Sequence, residues 1–290
     1  MTSLVPAPST SISGGAQADS DAQLIELWLH GRTVHTKAAY RHDVTRFFEF
    51  VAKPLAKIKL LDFQQFVDSL KGAVASKRRV IASLKSLFGF AMKIGYLHFN
   101  VAAALRSPKS VDSLADRILP EAAVHRMIAL AGNRRNQMLL RVLYVSGVRV
   151  SEICVLKWQN TQPNGDSGQV TVLGKGGKVR SVVLPVGLWK DLMEFRGEAT
   201  EDNPIFVSRK LGGMLDRSQV LRIVRAVAKK AGVKARVSPH WFRHCHASHA
   251  LDRGAALNLV QVTLGHASLS TTGQYLHARP NDSSARYLAV

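Results

Sequence analysis

The helical spacing of apolar residues in this chain is interrupted once, and that interruption limits the fold more than any other feature. From Asp21 to about Leu105, and again from Pro120 to Leu156, apolar side chains recur every three or four positions, the period of a helix buried on one face. Gln169-Val170-Thr171-Val172-Leu173 and Val179-Arg180-Ser181-Val182-Val183-Leu184 then alternate with a period of two. Between them lies Gly174-Lys175-Gly176-Gly177-Lys178, a glycine-rich tip that carries lysines. Two alternating runs joined by such a tip predict a β-hairpin. The expected fold is therefore mainly α, with a small β-hairpin or sheet in the C-terminal half.

The N-terminal half predicts a compact bundle of about four helices. Leu24, Ile25, Leu27, Trp28 and Leu29 form a first apolar patch. Thr36 can cap a second helix that carries Tyr40, Val44, Phe47, Phe48 and Val51, and Pro54 ends it. A third helix is expected over 62–70. A fourth follows Ser76, with Val80, Ile81, Leu84, Leu87, Phe88 and Ala91 inward and Gly95 as its stop. Residues 106–117 are polar, contain Pro108 and lack a period, as a linker does. The expected division is a disordered tail over 1–20, a helical domain over 21–105, a linker over 106–117, a second domain over 118–282 and a tail over 283–290. In the second domain, helices are expected from Pro120 to Ala131, from Asn136 to Val145, from Arg149 to Leu156, after Gly187 and from Val220 to Ala231. Three short helices, broken at Gly254 and Gly265, fill 239–276.

Charge narrows the partners. Lys plus Arg number 40 against 20 Asp plus Glu, a formal net charge of +20. Such an excess favours a polyanion, nucleic acid first and an anionic membrane surface second. No apolar run approaches the roughly 20 residues of a spanning helix, so no membrane partner is expected. The N-terminus lacks the basic and apolar regions of a secretory signal, which places the chain in the cytoplasm. Cys154 and Cys245 are not a Cys-x-x-Cys pair, so neither a disulfide framework nor a cysteine zinc site is expected. Ser76-Lys77-Arg78-Arg79, with Lys85 two turns on, opens the fourth helix with cations where the helix dipole prefers acids. Either that face is simply solvated, or it lies against phosphates.

The chemistry-bearing groups gather near the C-terminus. Pro239-His240-Trp241-Phe242-Arg243-His244 puts His240 and Arg243 on one helix face. Leu264-Gly265-His266 follows, and Tyr275 comes nine residues after that histidine. A tyrosine hydroxyl can attack a phosphodiester, an arginine can fork two N–H groups onto its oxygens, and imidazoles can share protons. Taken singly, each residue has a plainer reading. Tyr275 can be a packed aromatic, Lys175 a solvated turn residue, and Arg149 the partner of Glu152. His240 and His244 have the i, i+4 spacing of some zinc helices, but the glutamate of His-Glu-x-x-His is missing, and no metal is expected.

Taken together, these residues resemble a known family. Ser146-Gly147-Val148-Arg149-Val150-Ser151-Glu152 is similar to the first arginine motif of the tyrosine recombinase (phage integrase) family. Gly174-Lys175-Gly176-Gly177-Lys178-Val179-Arg180 resembles its hairpin lysine motif, 239–244 its His-x-x-Arg box, and 264–275 its nucleophile motif. Simple, Xer-like members are the nearest in form. Asn100-Val101-Ala102 departs from the usual Asn-Pro-Ala, and Trp241-Phe242 from the usual aliphatic pair; neither touches a catalytic position.

The resemblance implies a SAM-like helical core-binding domain and a catalytic domain closing around duplex DNA as a C-shaped clamp. It implies Tyr275 as nucleophile, Arg149 and Arg243 on the phosphate, His266 on the same oxygens, His240 as general base and Lys175 as general acid. Lys77, Arg78, Arg79, Lys85, Lys178 and Arg180 are the expected DNA contacts. No cofactor is required, because the phosphotyrosyl bond conserves the energy of the phosphodiester. The implied partners are paired DNA sites, three further protomers of this or a second recombinase, and a DNA translocase. A DNA-binding regulator without chemistry and a type IB topoisomerase-like enzyme are the competing readings.

Overall fold

The computed structural model describes residues 17–108, 114–209 and 212–278. They form two compact units, one on each side of residues 109–113.

The first unit holds α1 (Asp21–Leu29), α2 (Val34–Val51), α3 (Leu60–Ser69) and α4 (Val74–Lys93). Its start differs from the expected tail. Ser20 Oγ caps α1 by accepting the Gln23 N–H at 3.2 Å, and Ala18 is buried in the core, so 17–20 join the fold. Residues 1–16 lie outside the described ones. Thr33, not Thr36, caps α2: its backbone is extended, and its side chain accepts the Thr36 N–H. α2 ends at Ala52 in the left-handed region, just ahead of Pro54. Phe47 is the centre of the core. It stacks on Phe63 at 4.7 Å and meets Phe66 edge-on at 5.1 Å, while Phe63 meets Phe88 at 4.8 Å. Each such pair contributes about 0.5–1.5 kcal/mol beyond its buried area. α4 begins two residues before Ser76, which places Lys77, Arg78 and Arg79 within its first two turns.

The second unit opens with a 3-10 turn over Ala115–Arg117, and Leu114 is buried beneath it. The end of the expected linker therefore belongs to this unit. It continues through α5 (Glu121–Ala129), α6 (Arg134–Ser146), α7 (Val150–Cys154), β1 (Thr161–Asn164), β2 (Ser167–Leu173), β3 (Val179–Leu184), α8 (Val186–Arg196), α9 (Arg217–Lys230), α10 (Pro239–Asp252), α11 (Leu257–Leu264) and α12 (Leu269–Ala278). The sheet is antiparallel in the order β1-β2-β3. The expected hairpin is present, with Leu173 opposite Val179 and Gly168 opposite Leu184. Val170, Val172, Val182 and Leu184 turn inward, as alternation requires. β1 is an addition. Thr161-Gln162-Pro163-Asn164 has no apolar alternation and forms a strand because it pairs along β2, Thr161 opposite Val170. α10 runs through the interior, in contact with α6, α11 and α12. Among the described residues no helix is long and apolar enough to cross a membrane.

Candidate active site

Three helices meet because Gly147 has no side chain. It closes α6 with φ 59°, and a Cβ there would stand 2.6 Å from Leu264 Cδ2 and 2.9 Å from the His246 ring. The close approach brings the C-terminal ends of α6 and α11 to either side of α10. Arg243, on α10, reaches both. Nη1 donates to the Gly147 carbonyl at 2.7 Å and Nη2 to the Leu264 carbonyl at 2.6 Å. Terminal carbonyls lack partners within their own helices and sit at the negative pole of the helix dipole, so they suit a cation. Arg243 is only 1% exposed. Burial, then Arg149 and Arg180, push its pKa down to about 10, which leaves it charged at neutral pH.

A second arginine is set by a carboxylate. Arg149 is the N-cap of α7, and its backbone N–H donates to Glu152 Oε2 at 2.7 Å. Its Nη1 donates to Glu152 Oε1 at 2.9 Å, and the side chain stays one-third exposed. Glu152 also receives Nη1 and Nη2 of Arg180, from β3, at 3.0 and 2.8 Å. Burial alone would raise the Glu152 pKa, but the hydrogen bonds from Arg180 and Arg149 outweigh it and hold the group below the ordinary carboxylate range. Arg180 spends its Nε on the Thr263 carbonyl at 2.9 Å. All three of its nitrogens are thus engaged within the fold. The expectation that it meets DNA had no access to this buried ion pair.

His266 follows Gly265, whose left-handed backbone ends α11 against the Arg180 side chain. Its Nδ1 lies 2.9 Å from Thr272 Oγ1. Burial, then Arg243 and Arg149, push its pKa down to about 4, so the ring is neutral at pH 7. Arg149, Arg180, Lys178, His266 and Thr271 line a cleft of about 650 Å³, floored by Gly174 and Gly265. Lys178 is exposed at its rim, and the 3-10 turn over Lys175–Gly177 joins β2 to β3 beside it. The Lys175 side chain lies outside the described residues.

His240 stands in the first turn of α10, its ring 4.5 Å from that of His244 one turn on. Burial of its inner side, then Arg243, Arg149 and Arg117, lower its pKa. Tyr275 is 6% exposed, and its hydroxyl meets His244 Nδ1 at 2.8 Å rather than His240. Burial raises the Tyr275 pKa, and Arg243 works in the opposite direction. Two residues that sequence reasoning did not place here are therefore His244 and Arg117. The i, i+4 spacing of His240 and His244 was the available signal for the first; the second was hidden in the expected linker.

The remaining expected DNA contacts lie in the first unit. Arg78 is exposed and Lys77 partly so. Arg79 pairs with buried Asp43, and Lys85 donates to the Leu105 carbonyl at 2.9 Å.

Comparison with known proteins bears on this arrangement. Residues 117–282 match the phage integrase family, and residues 24–95 match the phage integrase N-terminal SAM-like domain. This chain belongs to the phage integrase family. Among its relatives, the tyrosine recombinase XerA of Pyrococcus furiosus is 34% identical over 258 residues, 86% of this chain and 85% of that protein. XerH recombinase in a post-cleavage complex with palindromic difH superposes with a TM-score of 0.73 at 21% identity, over 90% of this chain and 82% of the other. A λ integrase tetramer on a Holliday junction superposes with a TM-score of 0.70 at 19% identity, over 85% and 77%. At those identities the two structures speak for a shared fold, a mainly helical protein with a small sheet in its catalytic unit.

Proposed function

We propose that this phage integrase family member is a site-specific tyrosine recombinase, a DNA strand transferase that cuts and rejoins duplex DNA through a 3′-phosphotyrosyl link. The Tyr275 oxygen forms a bond to phosphorus, and the bond from phosphorus to the 5′ oxygen breaks. The leaving oxygen takes a proton from Lys175 and departs as a 5′-hydroxyl. Arg243 and Arg149 stabilise the charge on the non-bridging oxygens, and neutral His266 donates a hydrogen bond to them. His240 receives the tyrosine proton. Attack by a second 5′-hydroxyl reverses these steps, and two rounds of exchange pass through a Holliday junction. The phosphotyrosine retains the bond energy, so no nucleotide or metal cofactor is invoked.

The observation that carries this reading is that Arg149 and His266 share one cleft, while Arg243, near enough to lower the pKa of His266, is held beside them by the Gly147 and Leu264 carbonyls. Arginines held by backbone carbonyls and a buried glutamate are preorganised, which is what charge stabilisation in a transition state demands. Duplex DNA with paired sites is the substrate. Four protomers act together, either all of this chain or two with a second recombinase, with a DNA translocase as a further partner in the cytoplasm. Lys77, Arg78, Arg79 and Lys85 of the helical unit and Lys178 of the catalytic unit lie on phosphates. Peptide mapping of trapped protein–DNA adducts tests the assignment. A nucleotide remnant on Tyr275, and no adduct from Tyr275→Phe with DNA binding retained, is expected. Adducts from the phenylalanine variant would refute it.

A further inference from the structure

Arg117 stands on a turn that the core pins. It closes the 3-10 turn over Ala115–Arg117, and its backbone N–H donates to the Leu114 carbonyl at 2.9 Å. Leu114 and Ile118, on either side of the turn, are buried in one cluster with Ala247 of α10, Leu264 of α11 and Tyr275 of α12. The apolar residues that flank Arg117 therefore rest on the helices that carry Arg243, the Leu264 carbonyl and Tyr275. Arg117 itself is exposed.

Its guanidinium differs from the other arginines of the site. Arg149 and Arg180 share Glu152, and Arg243 is bound to two carbonyls. Among the described residues, the Arg117 guanidinium has no hydrogen-bond or ion-pair partner, not even Asp116 beside it. It is nonetheless close to the chemistry. After burial, Arg243 and Arg149, it lowers the pKa of His240, and after burial and His240 it lowers that of His244. Arg180 acts in the same way on His266, behind burial, Arg243, Arg149 and His240. Positive charge thus stands at both ends of the site, Arg180 towards His266 and Arg117 towards the two rings of α10.

We propose that Arg117 is a further substrate-contacting residue, which holds a DNA phosphate on the His240 side of the site, next to the phosphate that Tyr275 attacks. This rests on the reading of the site as that of a DNA strand transferase with Tyr275 as nucleophile. A guanidinium with an anchored backbone and no carboxylate to neutralise it is matched by a phosphodiester, whose oxygens it can take in pairs. Each strand of duplex DNA presents one phosphate per about 3.4 Å of rise. A strand laid over Arg149 and Arg243 therefore carries its next phosphates past the cleft. On the cleft side stands exposed Lys178; on the His240 side stands Arg117. A grip on both neighbours fixes the reacting phosphate between them, and phosphoryl transfer depends on such positioning.

The test combines DNA affinity against salt with adduct formation, using the full chain and fragmented genomic DNA of the source organism in EDTA. Affinity is measured in the Tyr275→Phe background, so that no covalent link contributes. Arg117→Gln removes the charge, Arg117→Lys keeps it, and Lys190→Gln removes an exposed charge from α8 as a control. For Arg117→Gln the slope of log affinity against log salt is expected to become shallower by about 0.9, the value for one phosphate. Adduct formation at saturating DNA is expected to slow about tenfold or more, within the roughly 100-fold cost of misplaced reacting groups. Arg117→Lys should keep the slope and recover most of the rate, and Lys190→Gln should change neither. An unchanged slope for Arg117→Gln overturns the proposal even where adducts slow; a shifted pH profile in that case would mean that Arg117 acts on His240 through its field alone. A shallower slope with wild-type adduct formation also overturns it, since the phosphate held would lie away from the scissile one. An equal change in Lys190→Gln would reduce the effect to net charge. Absence of adducts from the chain with Tyr275 intact removes the nucleophile reading, and with it the place of Arg117 beside the scissile phosphate; the slope alone then tells whether Arg117 meets DNA.

Discussion

Glu152 and Arg180 are matched oxygen to nitrogen, Oε1 to Nη1 at 3.0 Å and Oε2 to Nη2 at 2.8 Å, although 28 residues separate them. The pair joins β3 to α7, and through the same carboxylate it aims Arg149. Glu152 is 5% exposed, and the Arg180 side chain 10%. A β3 cation thereby helps to set the position of Arg149, the arginine proposed to hold the phosphate.

Breaking that pair leaves a buried guanidinium unmatched. Glu152→Gln is expected to destabilise the folded chain by about 3 kcal/mol and to slow adduct formation, because Arg149 loses its aim. Urea unfolding and adduct yield measure the two effects. Unchanged stability would mean that water or another acceptor satisfies Arg180.

Arg243→Lys keeps the charge but cannot reach the Gly147 and Leu264 carbonyls while also facing the phosphate. Adduct formation is expected to fall about 100-fold or more, the scale for losing one preorganised donor, with DNA affinity little changed. A loss confined to affinity would assign Arg243 to binding alone.

Gly147→Ala tests the packing beneath the site. Its Cβ would stand 2.6 Å from Leu264 Cδ2 on a left-handed backbone. Backbone strain and overpacking together are expected to cost about 2–4 kcal/mol, visible as a lower unfolding midpoint.

Acid should loosen the catalytic unit before it charges the site. Burial is the main cause that lowers the pKa of His244 to about 3 and those of His246 and His266 to about 4. The unfolded chain, with histidines near 6.5, binds more protons than the folded one between those values and about pH 6.5. Stability therefore rises with pH across that window and is lost on acidification through it. Near pH 5 unfolding should take up close to three protons at these residues, a slope of about 1.4 kcal/mol per pH unit for each. A flat stability profile between pH 5 and 7 would contradict the buried, neutral imidazoles.

Much of this was legible in the sequence, for physical reasons. The helical period located the helices to within a few residues, since a buried stripe must repeat with the backbone. The alternation at 169–184 located β2 and β3. β1 was not legible, because Thr161–Asn164 is polar and becomes a strand only by pairing. Arg149, Arg243, His266 and Tyr275 were readable as a set, but not which histidine meets the tyrosine. His240 and His244 share a helix face, and only the packing of α12 selects His244. The fate of Arg180 was equally hidden, since its buried partner is fixed by tertiary packing alone.

A chain with a formal net charge of +20 should bind DNA with strong salt dependence. With at least about six phosphates neutralised, log affinity is expected to fall with log salt at a slope of about −5 or steeper. Titrations by fluorescence anisotropy at several salt concentrations give the slope; a value near −2 would argue against so many phosphate contacts.

The most direct measurement is capture of protein-linked DNA. The purified chain is incubated with fragmented genomic DNA of its source organism in EDTA, and adducts that survive denaturation are sequenced beside those of Tyr275→Phe. Adducts at one or a few sequences, absent from the variant, are the result expected of a metal-independent, site-specific tyrosine recombinase. Scattered adducts, or none despite firm DNA binding, would contradict it.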